Sequence, residues 1–240
     1  MSERSQRILL WLTIVGTVIY GSCMLFLFHM FPPPSAQWPA ERIAQFYQEH
    51  TTEIRIGAMI CGWTGAFFVP ISVVVAVQIR RIETNSPVWS WLALVGGALT
   101  SVYLTLPPIL WGVAAYTPTR APEITATFHE FAVLTIITTD QYFVFLWLAI
   151  VFICLTPTSV IASPFPRWFG YYSAWCAVVF EPGAVAFLPR TGPFAWNGLL
   201  TFWIPFCVFG SWMVVASVLL LRALRQQSDG LPAKKEAVDA

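Results

Sequence analysis

The sequence predicts an all-α fold, a six-helix transmembrane bundle, on three observations. Of 240 residues, 57% are hydrophobic and 10% charged, where a soluble domain carries about a quarter charged residues. Six stretches reach the ~20 mostly apolar residues that cross a ~30 Å hydrocarbon core: residues 8–30, 54–79, 88–116, 128–155, 168–188 and 196–221. Short alternating segments separated by turns, the mark of a membrane barrel, do not occur. Helices are then the structure that satisfies every backbone group in lipid. A net charge of +1 supplies no basic field for phosphates and excludes a nucleic-acid binder, while the composition excludes a cytosolic enzyme and a disordered chain.

Orientation follows from the bias of Lys and Arg between alternate loops. Arg4, Arg7, Arg80, Arg81, Arg167, Arg222, Arg225, Lys234 and Lys235 fall on one side, against Arg42, Arg55, Arg120 and Arg190 on the other. Both termini are therefore expected in the cytoplasm.

The first span follows Arg4 and Arg7. A basic start before an apolar run also describes a cleaved signal peptide, but this run is too long and lacks an Ala-x-Ala-like site before Pro32, Pro33 and Pro34, so it is expected to be retained. Between spans one and two, Ala40, Ile43, Ala44, Phe46 and Tyr47 recur at helical spacing opposite Glu41, Arg42, Gln45 and Gln48. That pattern predicts a short amphipathic helix at the outer interface, capping the bundle mouth. In the third span Gly96 and Gly97 permit close helix contact, and Pro107 and Pro108 should bend or end the helix. Glu181-Pro182-Gly183 should kink or break the fifth. Residues 1–225 read as one domain, and the polar residues 226–240 as a solvated, disordered cytoplasmic tail.

Cys23, Cys61, Cys154, Cys176 and Cys207 fall inside spans without a C-x-x-C pair, so they read as small apolar packers. Trp38, Trp89, Trp168 and Trp196 lie near span ends as interface anchors. Trp63, Trp111, Trp175 and Trp203 are expected to pack inside, with pocket lining as the alternative. His29, His50 and His129 belong to the outer side and read as interfacial hydrogen-bonding groups. His129-Glu130 lacks the following x-x-H that would put two imidazoles on one helix face, so neither a metal nor any other cofactor is expected.

The sharpest functional signal is the run Thr138, Thr139, Asp140 and Gln141 in the fourth span, roughly 20 Å deep at about 1.5 Å per residue. An aspartate there costs about 2.5–3.5 kcal/mol on insertion scales, so it should face the bundle interior and have a partner. Thr138 and Gln141 are local candidates. His129 lies about three turns earlier on nearly the same face, with Glu130 beside it in sequence, and would extend a polar stripe outward. Glu181, on the antiparallel fifth span, arrives at similar depth. Two carboxylates in one low-dielectric space do not both stay ionised, so one is expected to hold a proton, the usual condition for proton transfer near neutral pH. Arg55 or Arg190 is the alternative partner for Glu181, in which case the acids act as interhelical fasteners.

Trp63, Phe68 and Pro70 share a W-x4-F-x-P spacing with Trp175, Phe180 and Pro182. An inverted repeat of three helices plus three is one source of such a match, and chance in a chain rich in Trp and Phe is the other.

The amphipathic segment leads through Thr51, Thr52 and Ile54-Arg55-Ile56-Gly57 into a span, and Pro164-Phe165-Pro166-Arg167-Trp168-Phe169-Gly170-Tyr171 opens another. This combination resembles a group of bacterial multi-helix integral membrane proteins of unknown function, with a comparable outer segment ending in Arg-x-Gly and a Pro-Arg-Trp-x-Gly-like helix start. The resemblance implies a bacterial inner membrane and no transferable activity.

Three functions fit these features. The first is a carrier or transporter enclosing a pocket for a small or lipidic molecule, with Asp140 and Glu181 as proton or ligand sites; six spans fall short of the larger transporter bundles unless the chain forms a homo-oligomer. The second is an intramembrane isomerase or hydrolase acting on an apolar lipid or sterol-like substrate, although no nucleophile motif, phosphate loop or metal-ligand set supports it. The third is a structural or accessory subunit.

Overall fold

The computed structural model describes residues 2–84, 86–138, 141–157, 160 and 162–230, and every regular element among them is helical. Helix α1 (Glu3–Ser22) starts where the Ser2 side chain accepts a hydrogen bond from the Ser5 amide at 3.2 Å, with Glu3 in the first turn. Both features offset the unpaired amides and positive dipole of a helix N-terminus. A π turn over Cys23–Leu27 extends it. Helix α2 (Ala40–Glu49) is followed by α3 (Thr51–Thr64), which passes through a 3-10 turn at Gly65–Phe67 into α4 (Phe68–Arg80). Then come α5 (Val88–Tyr116), α6 (Pro122–Thr138), α7 (Gln141–Leu155) and α8 (Arg167–Phe180), the last running into a 3-10 segment at Glu181–Phe187. A π turn at Leu199–Trp203 leads into α9 (Ile204–Gly230).

Among the described residues, five helical stretches are long and apolar enough to cross a membrane: Glu3–Leu27, Thr51–Arg80, Val88–Tyr116, Pro122–Leu155 and Leu199–Asp229. They coincide with five of the six expected spans. The remaining one, residues 168–188, is built differently. Its α-helix stops at Phe180, and Pro182, which lacks an amide hydrogen, sits at the start of the 3-10 segment that completes it. Residues 226–230, expected in the tail, are instead the last turn of α9; residues 231–240 lie outside the described ones.

Helix α5 is the centre of the bundle, packing against α3, α4, α6 and α7. Small residues make this possible. A β-carbon at Gly97 would fall 1.8 Å from Ser72 Oγ and 2.5 Å from Ser72 Cβ, so the α4 and α5 backbones approach as closely as glycine allows. Pro107 and Pro108 do not end α5, which continues to Tyr116. Pro108 leaves the Leu104 carbonyl, four residues earlier, without its helical donor, and the Tyr20 hydroxyl replaces it at 2.8 Å.

At one end of the bundle the termini meet. Gln78 on α4 donates to Gln6 Oε1 at 2.8 Å and accepts from Gln227 Nε2 at 3.2 Å, and Gln227 also donates to the Ala162 carbonyl at 3.0 Å. Arg7 donates to the Leu224 carbonyl at 3.1 Å and to Ser228 Oγ at 2.7 Å. The segments carrying Arg4, Arg7, Arg80, Arg81, Arg222 and Arg225 therefore share one end.

Trp111 is 1% exposed and packs inside, whereas Trp63 is 79% and Trp175 51% exposed. The last two face outward, against the expectation of interior packing, because an outer wall in lipid can be as apolar as the core. The paired spacing nonetheless has a shared outcome: in both segments the Trp points out and the Phe, Phe68 or Phe180, is buried.

Candidate functional site

The amphipathic helix α2 buries Ile43, Ala44 and Tyr47, and this face packs on α6. The Tyr47 hydroxyl lies 2.9 Å from His129 Nδ1. Burial pushes the Tyr47 phenol well above its usual range, so it stays neutral there. His129, expected at the interface, is fully buried, and its Nε2 has no hydrogen-bond partner among the described residues. The cap shields it from the surface. The Trp196 ring stands 5.9 Å from the imidazole, and its indole N–H donates to the Pro34 carbonyl at 2.7 Å, holding the proline-rich segment over the same place.

One turn further along α6, Val133 joins the wall of a cavity of ≈ 170 Å³. Aromatic side chains dominate this wall, among them Tyr20, Phe67, Trp111, Phe143, Phe180 and Phe209. Its hydroxyls are already engaged. Tyr20 donates to the Leu104 carbonyl, Thr17 to the Thr13 carbonyl at 2.8 Å, and Thr201 to the Ala195 carbonyl. The indole N–H of Trp111 is different: it is buried and has no partner among the described residues. Phe206 and Gly210 also line the cavity and are exposed, so it reaches the outer surface beside α9.

The residues singled out by sequence fall in several places. Thr138 is buried and donates to the Leu134 carbonyl of its own helix at 2.6 Å. Thr139 and Asp140 lie outside the described residues, as does the Gln141 side chain, although Gln141 begins α7. The expected meeting of Asp140 with Glu181 falls there too. Glu181, expected in a low-dielectric interior space with Asp140, opens the 3-10 segment and is instead exposed. Arg55 does not reach it; its guanidinium sits 5.3 Å over the Tyr116 ring and, with Arg120, lines a groove of ≈ 740 Å³ between α3 and α5. Arg190 is exposed and Glu130 half-buried.

In a second polar cluster only the i,i+3 pair His50 and Glu53 is local in sequence. Glu53 Oε2 lies 2.6 Å from His29 Nε2 and 3.1 Å from His50 Nδ1. Residues 29 and 50 are too far apart in sequence to share a helix turn, so no local pattern signals their meeting. Tyr20 also escaped a functional reading, while Trp111, for which pocket lining was the alternative to packing, does line the cavity. For Tyr20 a signal existed, since Pro108 orphans a carbonyl that some hydroxyl must satisfy.

No protein-family model, curated protein or solved structure matches this chain.

Proposed function

We propose that the chain is a multi-pass carrier that takes an apolar or lipidic molecule from the bilayer into the aromatic cavity. The carrying observation is the aromatic cavity of ≈ 170 Å³, lined by Trp111 and Phe209, whose lining hydroxyls are already bonded to backbone carbonyls. The volume fits the end of such a molecule. Apolar cavities of about 150 Å³ stay dry and accept a benzene-sized group, and this one has ≈ 170 Å³. Exposed Phe206 and Gly210 give it a lateral mouth toward lipid.

Six crossings fit this reading. Gln6 and Gln227 reach Gln78 at the same end, which supports an even number of passes, the sixth supplied by α8 with Glu181–Phe187. The Lys and Arg bias supports a cytoplasmic location for that end, and the family resemblance supports a bacterial inner membrane. Asp140 and Glu181 are the proposed proton sites. Ile137 and Phe143, which bracket Asp140 in sequence, line the cavity, as does Phe180 immediately before Glu181.

Photolabelling of the chain in lipid nanodiscs with a diazirine-bearing fatty acid tests the cavity. Label is expected on the peptides carrying Trp111 and Phe209 and should fall on Gly21→Leu, since Gly21 lines the cavity with nothing within 4 Å of an added β-carbon. Label confined to outward positions such as Trp63 and Trp175, and indifferent to Gly21→Leu, would overturn the reading.

A further inference from the structure

We propose that His29, His50 and Glu53 form a binding site for a divalent transition-metal ion of the zinc class, with a coordination position left open to water. This site is independent of the cavity and does not rest on the ligand reading above. Two pieces of backbone bring the donors together, since His50 and Glu53 lie three residues apart at the start of α3. His29 follows the π turn that ends the first membrane helix, His50 is the single residue joining α2 to α3, and Glu53 lies in the first turn of α3. One donor atom from each lies within 4.8 Å of the other two. The imidazole rings stand 4.2 Å apart, centroid to centroid, with Glu53 Oε2 in contact with both.

Geometry and chemistry select the ion. A tetrahedral zinc about 2.0–2.2 Å from each donor holds its ligands roughly 3.3 Å from one another. The contacts of 2.6 and 3.1 Å to Glu53 need to open only slightly to admit it. Two imidazoles and one carboxylate are a donor set for zinc and its neighbours nickel and copper, while calcium and magnesium ask for oxygen ligands. The side chains of His29, His50 and Glu53 are 36%, 30% and 50% exposed, which leaves room for a water at the fourth position. The Phe46 ring centroid lies 5.0 Å from that of His50. His29 also holds a left-handed backbone at φ 53°, uncommon for a residue with a side chain and the kind of local strain that gathers at binding sites. The ion would tie the end of the first membrane helix to the α2–α3 corner and so fasten the cap over His129.

The test uses the full chain, purified without a polyhistidine tag, stripped with chelator and titrated with cobalt(II) and then zinc. The expected result is a visible cobalt spectrum that saturates at one equivalent, lacks thiolate charge-transfer bands and is displaced by zinc. Glu53→Gln and His29→Asn should each weaken binding tenfold or more in a chain that still elutes as a monodisperse species; Asn is chosen because it tolerates the left-handed backbone. Zinc should also slow amide exchange over Ala40–Glu49. Absence of saturable binding by the unaltered chain overturns the proposal without reference to any variant. So do thiolate bands, which would assign the ion to cysteines, and so does undiminished affinity in both variants.

Discussion

The Tyr47 hydroxyl meets His129 Nδ1 at 2.9 Å, joining a helix outside the membrane bundle to a buried position within it. Both residues are buried, so the bond is shielded from water competition. Tyr47→Phe keeps the ring and removes the bond. The expected loss is about 1–3 kcal/mol, measured as a lower thermal midpoint in detergent together with faster amide exchange across Ala40–Glu49. Burial holds the native Tyr47 proton past the ordinary phenol pKa, so above about pH 10 the unfolded chain ionises first and this contribution is lost as pH rises. The gap between Tyr47→Phe and the unaltered chain should therefore narrow at alkaline pH and stay constant between pH 6 and about 9.

Gly97→Ala should be poorly tolerated. Its new methyl group would meet Ser72 Oγ at 1.8 Å and Ser72 Cβ at 2.5 Å, and the expected cost of such overpacking is about 1–3 kcal/mol. Ser72→Gly in the same chain removes both clashing atoms and should restore part of the thermal midpoint. A double-mutant cycle measures the coupling, and additive effects would show that the α4–α5 contact is looser than described.

Gln78→Met preserves volume and removes the amide shared by Gln6, Gln227 and Arg81. Its loss should cost about 1–3 kcal/mol and raise amide exchange in the last turns of α9. Unchanged exchange there would mean that the remaining bonds of Arg7 and Gln227 anchor α9 without it.

Glu181→Gln separates stability from function. The side chain is exposed and has no ion pair among the described residues, so the thermal midpoint should be nearly unchanged, within about 0.5 kcal/mol. Uptake of a lipidic substrate into proteoliposomes should lose its dependence on an imposed pH gradient, as it should in Asp140→Asn. Gradient-dependent uptake that survives both substitutions would remove the acids from the mechanism.

Much of the fold was legible because its causes are local. A run of apolar residues in lipid must close its own backbone hydrogen bonds, so long apolar segments become helices whatever surrounds them. The apolar stripe through Ile43, Ala44 and Tyr47 identified α2, and Pro182 marked where α8 gives way to a 3-10 segment. The shared end of the basic segments was also readable, since loops alternate sides.

Residues 29, 50 and 53 illustrate what composition and spacing left undecided. Their donors converge through the meeting of the first membrane helix with the α2–α3 corner, a long-range contact that no periodicity encodes. Inside and outside were equally obscure for the tryptophans: lipid and core are both apolar, so the contrast that sorts buried from exposed residues in water is missing, and Trp63 and Trp111 look alike until helices are packed. The chain by itself determined that it is helical, membrane-sized and capped. Packing alone decided that His129 is buried beneath Tyr47, that Trp111 lines a cavity, and that two histidines share one carboxylate, because each depends on which helix faces which.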